Sequence, residues 1–144
     1  LPRLLENLER CGVGISEVSQ HDWRQSPASI WENYFDAILL DVPCSNTGVL
    51  RRRVDARWRL QKVDIKNLVV IQNEILREAS RCVKPGGRLV YSTCSIDPEE
   101  NIELVTQFVE KTPGFRLGEW EQLLPFEDET DGAFAAVLHR DALS

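Results

Sequence analysis

The strongest constraint on this chain is a pair of apolar runs, Ala37-Ile38-Leu39-Leu40-Asp41-Val42 and Arg88-Leu89-Val90-Tyr91-Ser92-Thr93, separated by a long stretch of helical periodicity. Near-continuous apolar runs of this kind read as buried strands, and a helix between them makes a parallel pair. Ligands of such sheets bind just beyond the carboxyl ends of the strands. Each run ends at a cysteine, Cys44 after Pro43 and Cys94 after Thr93. The topology therefore carries two thiols to one crevice, which points to covalent chemistry.

The remaining pattern fits one α/β domain spanning residues 1–144. Leu1, Leu4, Leu5, Leu8 and Cys11 recur at helical spacing before Gly12 and Gly14 stop the helix. Gly14 to Val18 reads as a short strand, Ser19 to Tyr34 as a polar loop or weak helix, and Phe35 to Val42 as the strongest strand. Lys62 to Val83 is an amphipathic helix with Leu68, Ile71, Ile75, Leu76, Ala79 and Val83 on its apolar face, ended by Lys84-Pro85-Gly86-Gly87. After the strand Arg88 to Thr93, Asp97-Pro98-Glu99-Glu100 marks a helix start: Asp97 caps, Pro98 suits the first turn, and the acids favour the positive end of the dipole. Ile102, Val105, Phe108 and Val109 form the buried face of that helix. Phe115 to Leu117 and Ala133 to His139 are late strands. The expectation is a mostly parallel sheet with an antiparallel hairpin at its edge.

Composition narrows the function classes. No stretch approaches the roughly 20 apolar residues of a membrane helix, and no basic-then-apolar leader opens the chain, so the expected setting is cytoplasmic. The four cysteines form no C-x-x-C pair and only His21 and His139 accompany them, which argues against a zinc site or any other metal centre. A net charge of -6 argues against a generally basic nucleic-acid binder. Yet Arg51, Arg52, Arg53, Arg57 and Arg59 cluster directly after the first cysteine motif, so an anionic partner would dock there.

The cysteines are not equivalent. Cys11 and Cys82 lie on or beside apolar helix faces and read as small buried hydrophobes. Cys94 precedes the Asp97-Pro98 helix start, where free amides and the dipole favour a thiolate. Neither histidine lies in the context of a catalytic base, which disfavours hydrolysis. Asp41, at the end of an apolar strand, needs a ligand or loop amides as partners.

Asp41-Val42-Pro43-Cys44-Ser45-Asn46-Thr47-Gly48-Val49-Leu50-Arg51-Arg52, followed by Asp55-Ala56-Arg57-Trp58, resembles the fourth motif of RNA cytosine-5 methyltransferases of the Sun/RsmB type. Tyr91-Ser92-Thr93-Cys94-Ser95 with Pro98-Glu99-Glu100-Asn101 resembles their sixth motif. The match runs in order from Leu1 to the Asp131-Gly132 turn, and the relatives it points to are bacterial enzymes that modify small-subunit ribosomal RNA. The resemblance implies a Rossmann-like fold that uses S-adenosyl-L-methionine. It implies that Cys94 adds to carbon 6 of a cytosine, that carbon 5 then takes the methyl group, and that Cys44 aids release. DNA enzymes use the Pro-Cys cysteine as nucleophile instead. By the same resemblance Asp41 contacts the cofactor or the cytosine edge, Asp22 binds the adenine ring, and Arg51, Arg52 and Arg57 hold RNA phosphates. The target base must then be unpaired or swung out to reach Cys94.

The sequence departs from the family in lacking the glycine-rich loop and the ribose-binding acid that precede the first helix. The expectation is therefore a C-terminal portion of a catalytic domain that alone binds S-adenosylmethionine weakly or not at all, with much of the RNA affinity residing elsewhere. Asp131-Gly132-Ala133-Phe134 also has alanine where the family favours an aromatic. The alternatives are a non-catalytic RNA-binding or assembly module and, less favoured, a DNA cytosine methyltransferase.

Overall fold

The structure is a computed structural model that describes residues 2–14, 17–52, 58 and 60–142. Its elements run α1 (Pro2–Arg10), β1 (Phe35–Asp41), α2 (Lys62–Ser80), β2 (Val83–Thr93), α3 (Ile102–Lys111), β3 (Phe115–Leu123) and β4 (Ala133–Arg140). The sheet order is β1-β2-β4-β3. β1 and β2 are parallel, while β2–β4 and β3–β4 are antiparallel, so the described sheet is mixed and its late hairpin forms one edge.

The register explains the core. Ile38 pairs with Leu89 and Leu40 with Tyr91, and across the next ladder Leu89 faces Leu138 and Tyr91 faces Ala136. These residues share one pleat face and pack with Leu76 and Ala79 of α2 and Leu104, Val105 and Phe108 of α3. The opposite pleat is less covered. In β1 the side chains of Ala37, Leu39 and Asp41 are exposed, Leu39 at 71%, so among the described residues only the face carrying Ile38 and Leu40 is covered, and that in part.

Several sequence expectations are corrected locally. Helix α2 ends at Ser80 and not at Val83, because Val83 pairs with Phe35 as the first residue of β2. Its start is fixed by reciprocal hydrogen bonds between Gln61 and Asp64, a capping box. Lys84 to Gly87 forms a bulge within β2, where the register passes from Phe35↔Val83 to Ala37↔Arg88. Gly86 adopts a φ of +80°, and a Cβ on Gly87 would lie 2.8 Å from the Asp36 carbonyl oxygen. Strand β3 is longer than expected and shifts register between Leu117 and Trp120.

The expected strand Gly14 to Val18 includes residues 15 and 16, which lie outside the described residues, and its flanks are not strand. A strand exists only through ladder partners, and among the described residues β1 pairs only with β2. The 19–34 segment contains one short 3-10 turn, Ser29–Trp31. Helix α1 buries none of its residues, and Cys11 after it is exposed, which corrects its reading as a buried hydrophobe. Cys82 is buried as expected. Among the described residues no helix is long and apolar enough to cross a membrane.

Candidate functional site

The parallel pair β1–β2 delivers Cys44 and Cys94 to adjacent loops, and their Sγ atoms lie 3.3 Å apart. Both are half-buried. Their surroundings differ. Burial pushes the Cys44 thiol up to about 12, the Cys94 thiol adds to the rise, and the Asn46 backbone amide opposes it. Cys44 thus keeps its proton through the neutral range. The Cys94 thiol donates to Asn46 Oδ1 at 3.1 Å, and Asn46 Nδ2 donates to the Cys44 carbonyl at 2.8 Å. Asn46 holds this bridge from a left-handed backbone conformation, φ 61°, that asparagine tolerates well.

A polar seam lies beneath the thiols. The Glu100 carboxyl group is fully buried and accepts from Ser45 N at 2.9 Å, from Ser45 Oγ, and from Gln72 Nε2 at 2.8 Å. Gln72 Nε2 also donates to the Pro43 carbonyl at 2.9 Å. Asn101, also fully buried, accepts from Thr93 Oγ1 at 2.6 Å and donates to the Ser95 carbonyl at 2.8 Å. Tyr91, its ionisation suppressed by burial, donates to the Glu100 carbonyl at 2.8 Å.

This seam corrects two readings. Asp97 does not cap the following turn through its side chain, which instead accepts from Thr47 Oγ1 at 2.6 Å and lies 3.2 Å from the hydroxyls of Ser45 and Ser95. Glu100, expected to serve the helix dipole, is a buried acceptor for the Cys44 loop. Its partners sit 55 and 28 positions away along the chain, beyond any local pattern. One signal was available: Gln72 interrupts the apolar face of α2 and is fully buried there.

The loops also meet through backbone. Gly48 N donates to the Cys94 carbonyl at 3.0 Å, and Gly132 N donates to the Gly48 carbonyl at 2.8 Å. A Cβ on Gly48 would lie 2.4 Å from the Gly132 oxygen, so glycine is required by close approach.

The other predicted residues flank this centre. Asp22 and Asp41 line a common cleft of about 390 Å3 with His21, Trp23, Leu40 and Ile75. Arg24 clamps Asp22 through contacts of 2.9 and 2.7 Å, and those hydrogen bonds lower the Asp22 carboxyl to about 2. His21, Trp23 and Trp31 form an aromatic cluster beside it, with Trp23 stacked on Trp31 at 5.9 Å. Asp41 is exposed at the end of β1. On the other side Arg51 and Arg52 both lean on Asp131, at 3.2 and 2.8 Å, and remain largely solvent-facing. Arg57 lies outside the described residues, as do Arg53 and Arg59.

Comparison with known proteins gives this geometry its family. Residues 1–139 match the family described as 16S rRNA methyltransferase RsmB/F. Over 149 residues the chain is 43% identical to the ribosomal RNA small subunit methyltransferase B of Vibrio vulnificus, covering 99% of this chain and 34% of that protein. The chain thus spans about a third of the curated relative's length. Among solved structures, PH0851 superposes with a TM-score of 0.89 at 35% identity, over 96% of this chain and 34% of that one. NSun6 from Pyrococcus horikoshii, solved with SFG, an S-adenosylmethionine analogue, superposes with a TM-score of 0.82 at 28% identity, over 96% of this chain and 38% of that one. The chain belongs to the RsmB/F family of 16S ribosomal RNA methyltransferases.

Proposed function

We propose that this chain carries the catalytic cysteines of an enzyme that methylates carbon 5 of a cytosine in ribosomal RNA, with Cys94 as nucleophile and Cys44 as the residue that aids release. The observation that carries the reading is the 3.3 Å separation of two thiols in unequal environments. Cys94 gives up its thiol proton and Sγ bonds carbon 6 as the ring nitrogen N3 takes up a proton, which makes carbon 5 nucleophilic and divides one difficult step into two. After carbon 5 has gained a methyl group and lost its proton to a base, the S–C6 bond breaks and the electron pair returns to Cys94 Sγ. Cys44, which keeps its proton 3.3 Å from that sulfur, is placed to donate a hydrogen bond to it as it leaves.

S-adenosylmethionine, when bound, supplies the electrophilic methyl group. The residues present fit one side of such a ligand. Trp23, Leu40 and Ile75 offer apolar surface to a ring, while Asp22 and Asp41 offer acceptors to an amine or hydroxyl. Titration calorimetry of the isolated chain is expected to show no micromolar affinity for S-adenosylmethionine, since the glycine-rich loop is absent from this sequence. The RNA reading rests on Arg51 and Arg52, exposed on the segment that follows Cys44, and on the ribosomal RNA methyltransferases among its relatives.

The test is methyl transfer by the full-length protein to matched RNA and DNA, followed by nucleoside digestion and mass spectrometry. The expected product is 5-methylcytosine in RNA only. A methylated base other than cytosine, or product in DNA alone, contradicts the proposal. No product on either substrate favours the non-catalytic module.

A further inference from the structure

We infer that the neighbouring residues Glu100 and Asn101 divide the positioning of the two thiols, Glu100 holding the Cys44 loop and Asn101 holding the Cys94 loop; this rests on the cysteine roles proposed above. Each residue brackets one cysteine on both sides. Glu100 accepts from Ser45, which follows Cys44, and through Gln72 it reaches the carbonyl of Pro43, which precedes Cys44. Asn101 bonds the hydroxyl of Thr93, which precedes Cys94, and the carbonyl of Ser95, which follows it. Neither side chain is bonded to a cysteine sulfur, so both are positioning residues rather than catalytic ones.

Both residues are fully buried, which fits a role in fixing geometry. Each has a separate anchor. Gln72 comes from α2, whereas Asn101 is tied to Gln122 of β3 at 2.8 Å. One turn, Pro98–Glu100 with Asn101 after it, thereby reaches both loops. If Cys94 forms the adduct and Cys44 clears it, loosening the support of one loop should slow its own step more than the other, with the backbone bonds between the loops passing on only part of the shift.

The test uses the full-length enzyme, an unmodified small-subunit ribosomal RNA transcript and S-adenosylmethionine. Formation and decay of the covalent protein–RNA adduct are followed separately on denaturing gels. Glu100→Ala is expected to form adduct within about threefold of the native rate and to clear it on the order of tenfold or more slowly, because small displacements of a reacting group cost large factors in rate. Asn101→Ala is expected to show the reverse, slow formation and no accumulation. Glu100→Gln, which keeps an acceptor for Ser45 N and Gln72, should restore clearance to within about threefold. Should Glu100→Ala fail to fold, Gln72→Met carries the same expectation, since it fills a similar volume and removes the bond to Pro43.

Equal losses of both steps in both variants, or slow formation with normal clearance in Glu100→Ala, overturn the inference. Cys94→Ala and Cys44→Ala are measured alongside. If Cys94→Ala still forms adduct, or Cys44→Ala clears it normally, the cysteine assignment fails and takes this inference with it. If the cysteines behave as assigned but the Glu100 and Asn101 variants do not divide, this inference alone fails.

Discussion

Replacing Gly48 by alanine tests whether the two cysteine loops are locked to each other through backbone. The new Cβ would lie 2.4 Å from the Gly132 oxygen, 2.7 Å from the Gly132 carbonyl carbon and 2.8 Å from the Cys94 oxygen, where ordinary contact begins at 3.4 Å. All three obstacles are backbone atoms, so no side chain can turn aside. Relief requires the loops to part by about 1 Å, judged from the 2.4 Å contact against that limit. Overpacking of this kind costs about 1 to 3 kcal/mol, and weakening either Gly48 N to Cys94 O or Gly132 N to Gly48 O adds about 1 kcal/mol. Clearing the 2.8 Å contact moves the carbonyl of Cys94 by about 0.6 Å and its sulfur with it, for which a loss of about tenfold to a hundredfold in rate is expected. Thermal unfolding and methyl transfer of the full-length enzyme measure both effects. Gly14→Ala is the control, since a Cβ there meets nothing within 4 Å, and a change within about 0.5 kcal/mol is expected. If Gly48→Ala melts and turns over like the native protein, the loops are not close-packed as described.

Two further predictions follow from the flanks of the site. Cys44, with its thiol pushed up to about 12 by burial, should show alkylation by iodoacetamide that keeps rising with pH while the protein stays folded. Peptide mass spectrometry reads this directly, and a plateau near the ordinary thiol value of about 8.5 contradicts it. Arg51→Ala and Arg52→Ala should each lower the slope of log affinity against log salt by about 0.7 for single-stranded RNA bound by the full-length protein, with little change in stability from losing an exposed pair to Asp131. An unchanged slope removes both arginines from the RNA surface.

Much of the fold was readable because it rests on local periodicity. The runs at Ile38–Leu40 and Leu89–Tyr91 needed only a helix between them to become a parallel pair, and the apolar face of α2 declared that helix. What was not readable depends on partners distant in sequence. Whether Leu39 is covered depends on what packs against β1, and the run itself gives no sign that one pleat stays open. Cys11 follows an apolar helical stripe, yet none of the residues of α1 is buried, so the stripe misled. At the site the thiols were legible from strand ends, whereas their supports were not. Asp97 and Glu100 look like helix-start acids by local rules, and only the tertiary contact with Ser45 and Thr47 assigns them to the opposite loop. Asn46 was hidden within a matched motif, although a turn-forming residue after Pro-Cys-Ser was a hint of left-handed backbone.

The unequal parts proposed for the two cysteines are read from the covalent adduct. Full-length enzyme is mixed with unmodified small-subunit ribosomal RNA and S-adenosylmethionine, and protein–RNA adduct is resolved on a denaturing gel for the native protein, Cys94→Ala and Cys44→Ala. No adduct is expected with Cys94→Ala, and accumulated, methylated adduct with Cys44→Ala. Adduct that survives in Cys94→Ala and vanishes in Cys44→Ala would reverse the roles and contradict it.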